Sequence, residues 1–325
     1  MQIPIHARAL LHGAVVALAA LLSQTAHAWP DKPITLIVPD PAGGAADNLA
    51  RGFAEEMSKR LKQSVVVENV GGASGAIGAQ KVLRAPADGY TLIFGNTSDM
   101  VVTPIANPSA GYATRDFTPI ALVGLTPMAL VARPGLGING IDQLVAQAKA
   151  RPNGLTIGTT GSSSFQAFST VALQKAAGID LLAVPYKGGA PLTTDLLGGQ
   201  IDLAVMAMPG AMPHVRAGKL TLLGLLLDKR LPSAPELPTV NEGSAVKGVT
   251  MQIWAGIGGP PRLPAPVVET LNATVRDILL DKEFNERRIR NGDLPVTPIS
   301  AGEFGRFLAA EVDKFRALAT GMKLE

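Results

Sequence analysis

Four loops of the sequence carry residue types that bind small anions through their main chain. Glycine, serine, threonine or proline recurs in each loop, directly after an apolar run and before a helical pattern. The first turn of a helix leaves N–H groups without partners, its dipole is positive there, and glycine lets a ligand approach closely. The candidate ligand-binding residues of these loops are Ala42, Gly43, Gly44, Asp47, Asn96, Thr97, Ser98, Thr160, Gly161, Ser162, Ser163, Ser164, Gly188, Gly189, Ala190 and Pro191.

Each of these loops, taken alone, is also explained as a helix cap or a tight turn. Their repetition after strands in both halves of the chain favours a shared cleft for a negatively charged ligand. The side chains of Asp47 and Lys187 can each be interpreted in two ways. Asp47 either contacts the ligand through water or caps its helix, and Lys187 either attracts the anion or lies solvated at the surface.

Residues for covalent or metal chemistry are scarce. The chain has no cysteine, and His6, His12 and His27 fall in a segment that we expect to be removed, which leaves His214. No serine stands in a Gly-x-Ser-x-Gly elbow. Cysteine-based catalysis and histidine-rich or thiolate metal sites are therefore excluded. We expect no enzyme activity, no metal and no cofactor; an α/β enzyme acting on a small carboxylate would have only carboxylates and His214 for acid–base work.

The segment from Gly135 to Gly140 matches the glycine spacing of dinucleotide-binding turns. An acidic residue about twenty positions later would be needed to hold the ribose. The stretch from Leu155 to Gly161 contains none, and Pro134 precedes the first glycine. A plain turn is the better interpretation.

Short β-rich runs alternate with helical patterns and predict an α/β fold with parallel sheets. Leu49, Phe53, Met57 and Leu61 recur every four positions and predict one apolar helical stripe. The predicted strands are Ile34 to Val38, Val65 to Glu68, Thr91 to Gly95, Ile120 to Gly124, Met128 to Ala132, Leu155 to Gly158, Leu181 to Pro185, Asp202 to Met206, Leu220 to Leu227 and Met251 to Gly258. Further predicted helices are Gly78 to Ala85, Ile141 to Lys149, Pro266 to Leu280 and Glu303 to Ala319.

The first 28 residues have the layout of a cleavable secretory signal. A basic start is followed by the apolar run Ala9 to Leu22, and Ala26-His27-Ala28 offers a cleavage site after Ala28. We therefore expect export to the periplasm. Residues 29–325 then remain, and at about 150 residues per domain they predict two lobes.

The charge balance of the chain is nearly neutral. The formal net charge is +3, and it falls by one when Arg8 is removed with the leader. Basic and acidic residues are interspersed, whereas nucleic-acid binding needs a basic stripe, so we expect no nucleic-acid partner. Without cysteine, an exported protein of this size must rely on its hydrophobic core.

At this point the sequence resembles the Bug, or TctC-type, solute-binding proteins of tripartite tricarboxylate transporters. The resemblance covers essentially all of the chain after the leader, and the order and spacing of its motifs make it specific. The motifs are Trp29 to Ile34, Pro41 to Asp47, Val67 to Gly75, Pro86 to Leu92, Val184 to Pro191, which adds Tyr186 to the candidate site, and Asp195 to Asp202.

The resemblance implies a two-lobe periplasmic-binding-protein fold of the Venus flytrap, type II-like, with the ligand in a cleft between the lobes. Lobe 1 would be 29–126 plus 253–325 and lobe 2 would be 127–252, with crossings near Leu125 to Pro127 and Gln252 to Trp254. The implied ligand is a small organic acid, a dicarboxylate or an aromatic carboxylate. The implied partners are membrane permease subunits or, for a sensor, a kinase. We expect a monomer.

The sequence departs from many relatives at two places. It has Met206-Ala207-Met208 where a polar residue is frequent, and Phe165 where a smaller or polar side chain is common. If these side chains face the cleft, they favour a ligand with an apolar body over an amino acid. Alternatively, they fill the core beneath the sheet.

Overall fold

The computed structural model describes residues 29–161, 164–186, 188–290, 294, 296–320 and 322. The predicted secretory signal, Ser162, Ser163 and Lys187 lie outside these residues. Within them, nine strands are formed: β1 Ile34–Val38, β2 Val65–Asn69, β3 Thr91–Asn96, β4 Thr118–Ala132, β5 Thr156–Thr159, β6 Leu182–Pro185, β7 Leu203–Ala207, β8 Thr221–Leu225 and β9 Gln252–Gly259.

The same residues form ten α-helices, joined in places by single helical turns. They are α1 Ala45–Leu61, α2 Ala76–Leu83, α3 Thr103–Ala106, α4 Ile141–Ala150, α5 Phe165–Ala177, α6 Gly189–Leu197, α7 Met208–Arg216, α8 Ala265–Leu280, α9 Lys282–Arg290 and α10 Ala301–Ala319. Among the helices of this part of the chain, none is both long and apolar enough to cross a membrane.

The strands form one sheet in the order β2-β1-β3-β9-β4-β7-β5-β6, with β8 added beside β4. In its first half, β1 pairs in parallel with β2 and β3, and β9 is antiparallel to both β3 and β4. In its second half, β4 is antiparallel to β7 and β8, whereas β5 is parallel to β6 and β7. Parallel strands joined by helices confirm the predicted α/β class.

Strand β4 passes from one half of the sheet to the other. It pairs with β9 as far as Pro127, opposite Gln252, and with β7 from Met128 onward, opposite Ala207. The sequence predicted two separate strands here, because Gly124 and Pro127 interrupt the apolar pattern. Pro127 has no N–H to donate, and its position where one pairing ends and the other begins makes it compatible with a continuous strand.

Helix α1 follows the predicted apolar stripe. Phe53 and Met57 are fully buried, while Leu49 and Leu61 are partly buried against the same core. In α8, the sequence predicts one apolar face with Val268, Leu271, Val275 and Ile278. The last three are buried, but Val267 is buried in place of Val268, which is only partly buried. A one-residue offset of this kind turns a helical side chain by about 100°.

The carboxyl-terminal helix α10 connects the two halves of the molecule. The fully buried ring of Phe315 lies 5.8 Å from that of Phe165 and 5.5 Å from that of Phe168, centroid to centroid, both on α5. The Lys175 ammonium of α5 donates to the carbonyl oxygens of Leu318 and Thr320, at 3.2 and 2.9 Å. Since α10 also packs on β4, it touches both halves of the sheet.

We expect Phe315→Ala to leave a cavity between α10 and α5 and to lower the free energy of unfolding by about 3–5 kcal/mol, because a fully buried aromatic ring is removed. Urea unfolding monitored by circular dichroism measures the loss. Leu280→Ala is the matched control, since Leu280 is 67% exposed, and it should change stability by less than about 0.5 kcal/mol. Equal effects of the two substitutions would contradict the proposed packing.

Candidate ligand cleft

The direction of the strands makes the predicted ligand loops face each other. Strands β1, β2 and β3 run in the same direction as β4, from the first half of the sheet toward the second. Strands β5, β6 and β7 run in the opposite direction, toward the first half. The loops that follow β1 and β3 therefore point at the loops that follow β5, β6 and β7.

The loop after β1 is closed by the side chain of Asp47. One carboxylate oxygen accepts the Gly43 N–H at 2.8 Å and the Arg51 Nε at 3.1 Å; the other accepts the Asn69 Nδ2 at 3.0 Å. Asp47 is 2% exposed. The hydrogen bonds from Arg51 and from Gly43 lower its pKa to about 2. Both oxygens of Asp47 are thus used to shape the loop.

The start of α1 keeps main-chain donors for a ligand. Gly44, the residue directly before α1, has no side chain that could cap the helix, and residues 41–44 are exposed. Gly43 adopts a φ of +82°, which favours glycine and turns the chain into the helix. An anion can therefore approach the uncapped N–H groups of the first turn.

The loop after β3 is held by the side-chain amide of Asn96. Its Nδ2 donates to Asp40 Oδ2 at 2.9 Å, and its Oδ1 accepts the Ser98 N–H at 2.7 Å. Thr97 has no exposed surface, and its hydroxyl accepts the Trp254 N–H at 2.9 Å. Thr97 thus joins this loop to β9, while Ser98 is half-buried beside it.

A second carboxyl lies beneath the Asn96 loop. Both oxygens of Asp99 accept the Asn96 N–H at 3.1 Å, and Asp99 is 2% exposed. Burial, followed by the nearby charge of Asp40, raises the pKa of Asp99 well above its ordinary value. The floor of this half is therefore acidic.

The loop after β5 is organised by Ser164. Its hydroxyl accepts the Ala167 N–H at 3.2 Å and donates to the Gly161 carbonyl at 2.9 Å, so Ser164 is the N-terminal cap of α5. Thr160 is half-buried and donates to Gln166 Oε1 at 2.8 Å. The predicted contacts through Ser162 and Ser163 lie outside the described residues.

The loop after β6 leads into α6 through Gly188, whose φ of +117° favours glycine. Gly189, Ala190 and Pro191 form an exposed first helical turn without a side-chain cap. The half-buried Tyr186 donates its hydroxyl to Asp195 Oδ2 at 2.8 Å and thereby attaches the loop to α6.

The structure shows where the three apolar residues lie that could either face the cleft or fill the core. Phe165 is fully buried against Phe315 and Phe168, and Met208 is buried in the core below α7, so both belong to the core. Met206, near the end of β7, is only partly buried. Of the three, Met206 alone stays a candidate for the wall of the cleft.

The glycine-rich stretch 135–140 lies far from these loops. It follows the end of β4 that points away from the first half, and Gly135 and Gly137 adopt positive φ, as in plain turns. His214 lies partly exposed on α7. Within the residues that the structure describes, no group of three or more His, Cys, Asp or Glu side chains is placed to hold a metal ion.

Two concave pockets lie away from the predicted residues. One, of about 360 Å³, is lined by residues 139–143 and the segment around Thr239. The other, of about 350 Å³, is lined by Leu227, Asp228, Lys229, Leu231, Thr250, Gln252 and Leu294. The predicted loops instead border open solvent. The loops hold the uncapped starts of α1 and α6, whereas the pocket of about 360 Å³ borders the start of α4 beside Asp142 and Glu242, whose carboxylates disfavour an anion.

Sequence reasoning did not select four residues that organise the first half of the site. Asp40 lies two residues after β1, Asn69 ends β2, and both bond to neighbouring loops. Arg51 donates to Asp47, and the Trp254 N–H donates to the Thr97 hydroxyl. The position of Asp40 and Asn69 at strand ends was the available signal. Arg51 stands four positions after Asp47 on a predicted helix, a spacing that favours an ion pair. Nothing local pointed to Trp254, whose partner Thr97 is distant in the sequence.

We expect Asp47→Asn to destabilise the protein at pH 7, because the ion pair with Arg51 is lost. The folded-state pKa of about 2 lies below the ordinary 3.8, so the stabilisation is complete above about pH 4 and disappears as the pH falls toward 2. Unfolding midpoints of the wild type and the variant should therefore converge over this range. Asp313→Asn, at an exposed site, should match the wild type throughout; a gap for Asp47→Asn that is independent of pH would contradict the assignment.

Comparison with known proteins agrees with this architecture. The family model described as tripartite tricarboxylate transporter family receptor, TctC, matches residues 49–324. Protein BugT of Bordetella pertussis is 32% identical over 305 residues, which is 93% of each chain.

Two solved structures from Rhodopseudomonas palustris are similar over nearly their whole length. A protein with adipate has 32% identity and a TM-score of 0.81, covering 90% of this chain and 97% of its own. MatC with bound malate has 28% identity and a TM-score of 0.78, covering 89% and 99%. These likenesses confirm the two-lobe periplasmic-binding-protein fold. By the extent of both the family match and the relatives, the chain belongs to the TctC family, the receptors of tripartite tricarboxylate transporters.

Proposed function

We propose that this receptor captures a small organic carboxylate in the gap between its two lobes and presents it to the membrane subunits of a tripartite transporter. The observation that carries the proposal is the opposed direction of the two sets of parallel strands, which aims the uncapped starts of α1 and α6 at one gap. Two similar structures hold adipate and malate, both dicarboxylates.

The lobes of the proposal are 29–126 with 253–325, and 127–252. Their boundary is supported by the change of pairing along β4, where Pro127 is the last partner of β9 and Met128 the first partner of β7. The ligand carboxylate binds to the main-chain donors of one lobe, and closure brings the donors of the other. Closure is favoured only because the ligand binds the closed form better than the open one.

The protein performs no chemistry on its ligand in this proposal. The scarcity of nucleophiles and general bases supports this, since His214 is the one histidine after the predicted leader and there is no cysteine. The receptor acts in the periplasm as a monomer, after cleavage at Ala28. An affinity in the micromolar range, about −8 kcal/mol, suits reversible capture and release.

We expect Gly44→Leu to weaken binding at least tenfold, about 1.4 kcal/mol, because the new side chain covers the first turn of α1. The backbone accepts a side chain here: φ is −77°, and a Cβ would lie 3.4 Å from the Pro41 carbonyl oxygen. A thermal-shift screen of mono- and dicarboxylates identifies a binder, and isothermal titration calorimetry measures its affinity for each variant.

Gly140→Leu is the matched control for this experiment. Gly140 also flanks the start of a helix in extended conformation, with open space around its Cβ position, but at the far end of the second half. This variant should bind as the wild type does. Unchanged affinity of Gly44→Leu would show that the loop after β1 is not part of the binding site.

A further inference from the structure

Asp40 is a carboxyl group at the floor of the proposed cleft with spare hydrogen-bonding capacity. It follows β1, immediately before the exposed loop that starts α1, and is half-buried. Its Oδ2 accepts the Asn96 Nδ2 at 2.9 Å, and its main-chain carbonyl accepts the Asn69 Nδ2 at 3.2 Å. Its Oδ1 accepts no hydrogen bond from the described part of the chain.

The charges around Asp40 do not neutralise it. The buried Asp99 lies close enough for the two carboxyls to repel each other, which contributes to the raised pKa of Asp99. The nearby guanidinium of Arg51 is held by Asp47 and Asn69. Burial raises the pKa of Asp40, and the hydrogen bond from Asn96 opposes that shift. Within the described residues, no cationic side chain forms an ion pair with Asp40.

A ligand that closes this cleft removes Asp40 Oδ1 from water, and no described residue donates a hydrogen bond to this oxygen. Removing a carboxylate oxygen from water without giving it a donor costs free energy, and a second carboxylate placed beside it adds repulsion. The Asn96 Nδ2 donates to Asp40 Oδ2, and the Asn96 Oδ1 accepts the Ser98 N–H, so neither of these bonds serves Asp40 Oδ1. A hydrogen-bond donor on the ligand itself would fill this place.

We propose that Asp40 determines specificity by accepting a hydrogen bond from a hydroxyl or ammonium group of the ligand, so that the receptor prefers substituted carboxylic acids to their unsubstituted analogues. The inference rests on the proposed function and names its ligand class more closely. A site that is built to hydrogen-bond a donor group discriminates against the analogue that lacks it, because its own polar atom is then left unpaired.

The decisive variant is Asp40→Asn. Its side-chain oxygen can still accept the Asn96 Nδ2, while its amide nitrogen replaces the free acceptor by a donor. Isothermal titration calorimetry compares two series that differ in chain length: succinate, malate and aspartate, and adipate with 2-aminoadipate. Malate and aspartate separate a hydroxyl from an ammonium group. Asp277→Asn, at an exposed position on α8, is the matched control.

In the wild type, a donor-bearing acid should bind about tenfold or more tightly than the unsubstituted acid of equal length, and Asp40→Asn should abolish or reverse that preference. The control should retain it. If the unsubstituted acids bind equally well, or if Asp40→Asn weakens all ligands alike, the specificity role is wrong while capture of carboxylates stands. If no acid of either series binds the wild type, both the role and the proposed function are wrong.

Discussion

The antiparallel pairing of β4 with β9 is the constraint on which the rest of the structure depends. The pairing runs from Thr118 opposite Gly259 to Pro127 opposite Gln252, and β4 then continues into the second half of the sheet. Because β7 pairs antiparallel to this continuation, every parallel strand of the second half runs back toward the first. The loops that follow the parallel strands of the two halves consequently point toward each other.

The connections between the halves also limit how they can move. Besides the two strands, α10 packs on β4 and places Phe315 against α5, directly behind the loop that begins with Thr160. The main-chain N–H of Trp254, in β9, donates to the Thr97 hydroxyl, and the Trp254 indole N–H donates to Glu311 of α10 at 3.1 Å. A change in angle between the halves must therefore either carry α10 with one of them or repack its aromatic contacts.

Three carboxyl groups in the first half have three different environments. Asp47 has an arginine and an N–H as donors, so it is ionised and shapes its loop. Asp99 is buried below the Asn96 loop, so its pKa is raised and it is closer to neutral. Asp40 lies between these cases: it is half-buried, and none of the described residues donates a hydrogen bond to its Oδ1. In the proposed role of Asp40, this arrangement of acids beside main-chain anion donors favours ligands that carry a hydrogen-bond donor as well as a carboxylate.

The sequence by itself determined the α/β class, the approximate strands and helices, and the loops at helix starts, because alternation, helical period and glycine are local signals. Its motifs also indicated the family. Only the tertiary structure decided that β4 is continuous, that Thr97 and Phe165 are buried, and that Asp40 and Asn69 support the first loop. These features depend on which distant segments meet and in which direction strands pair, and the residues within one segment do not contain that information.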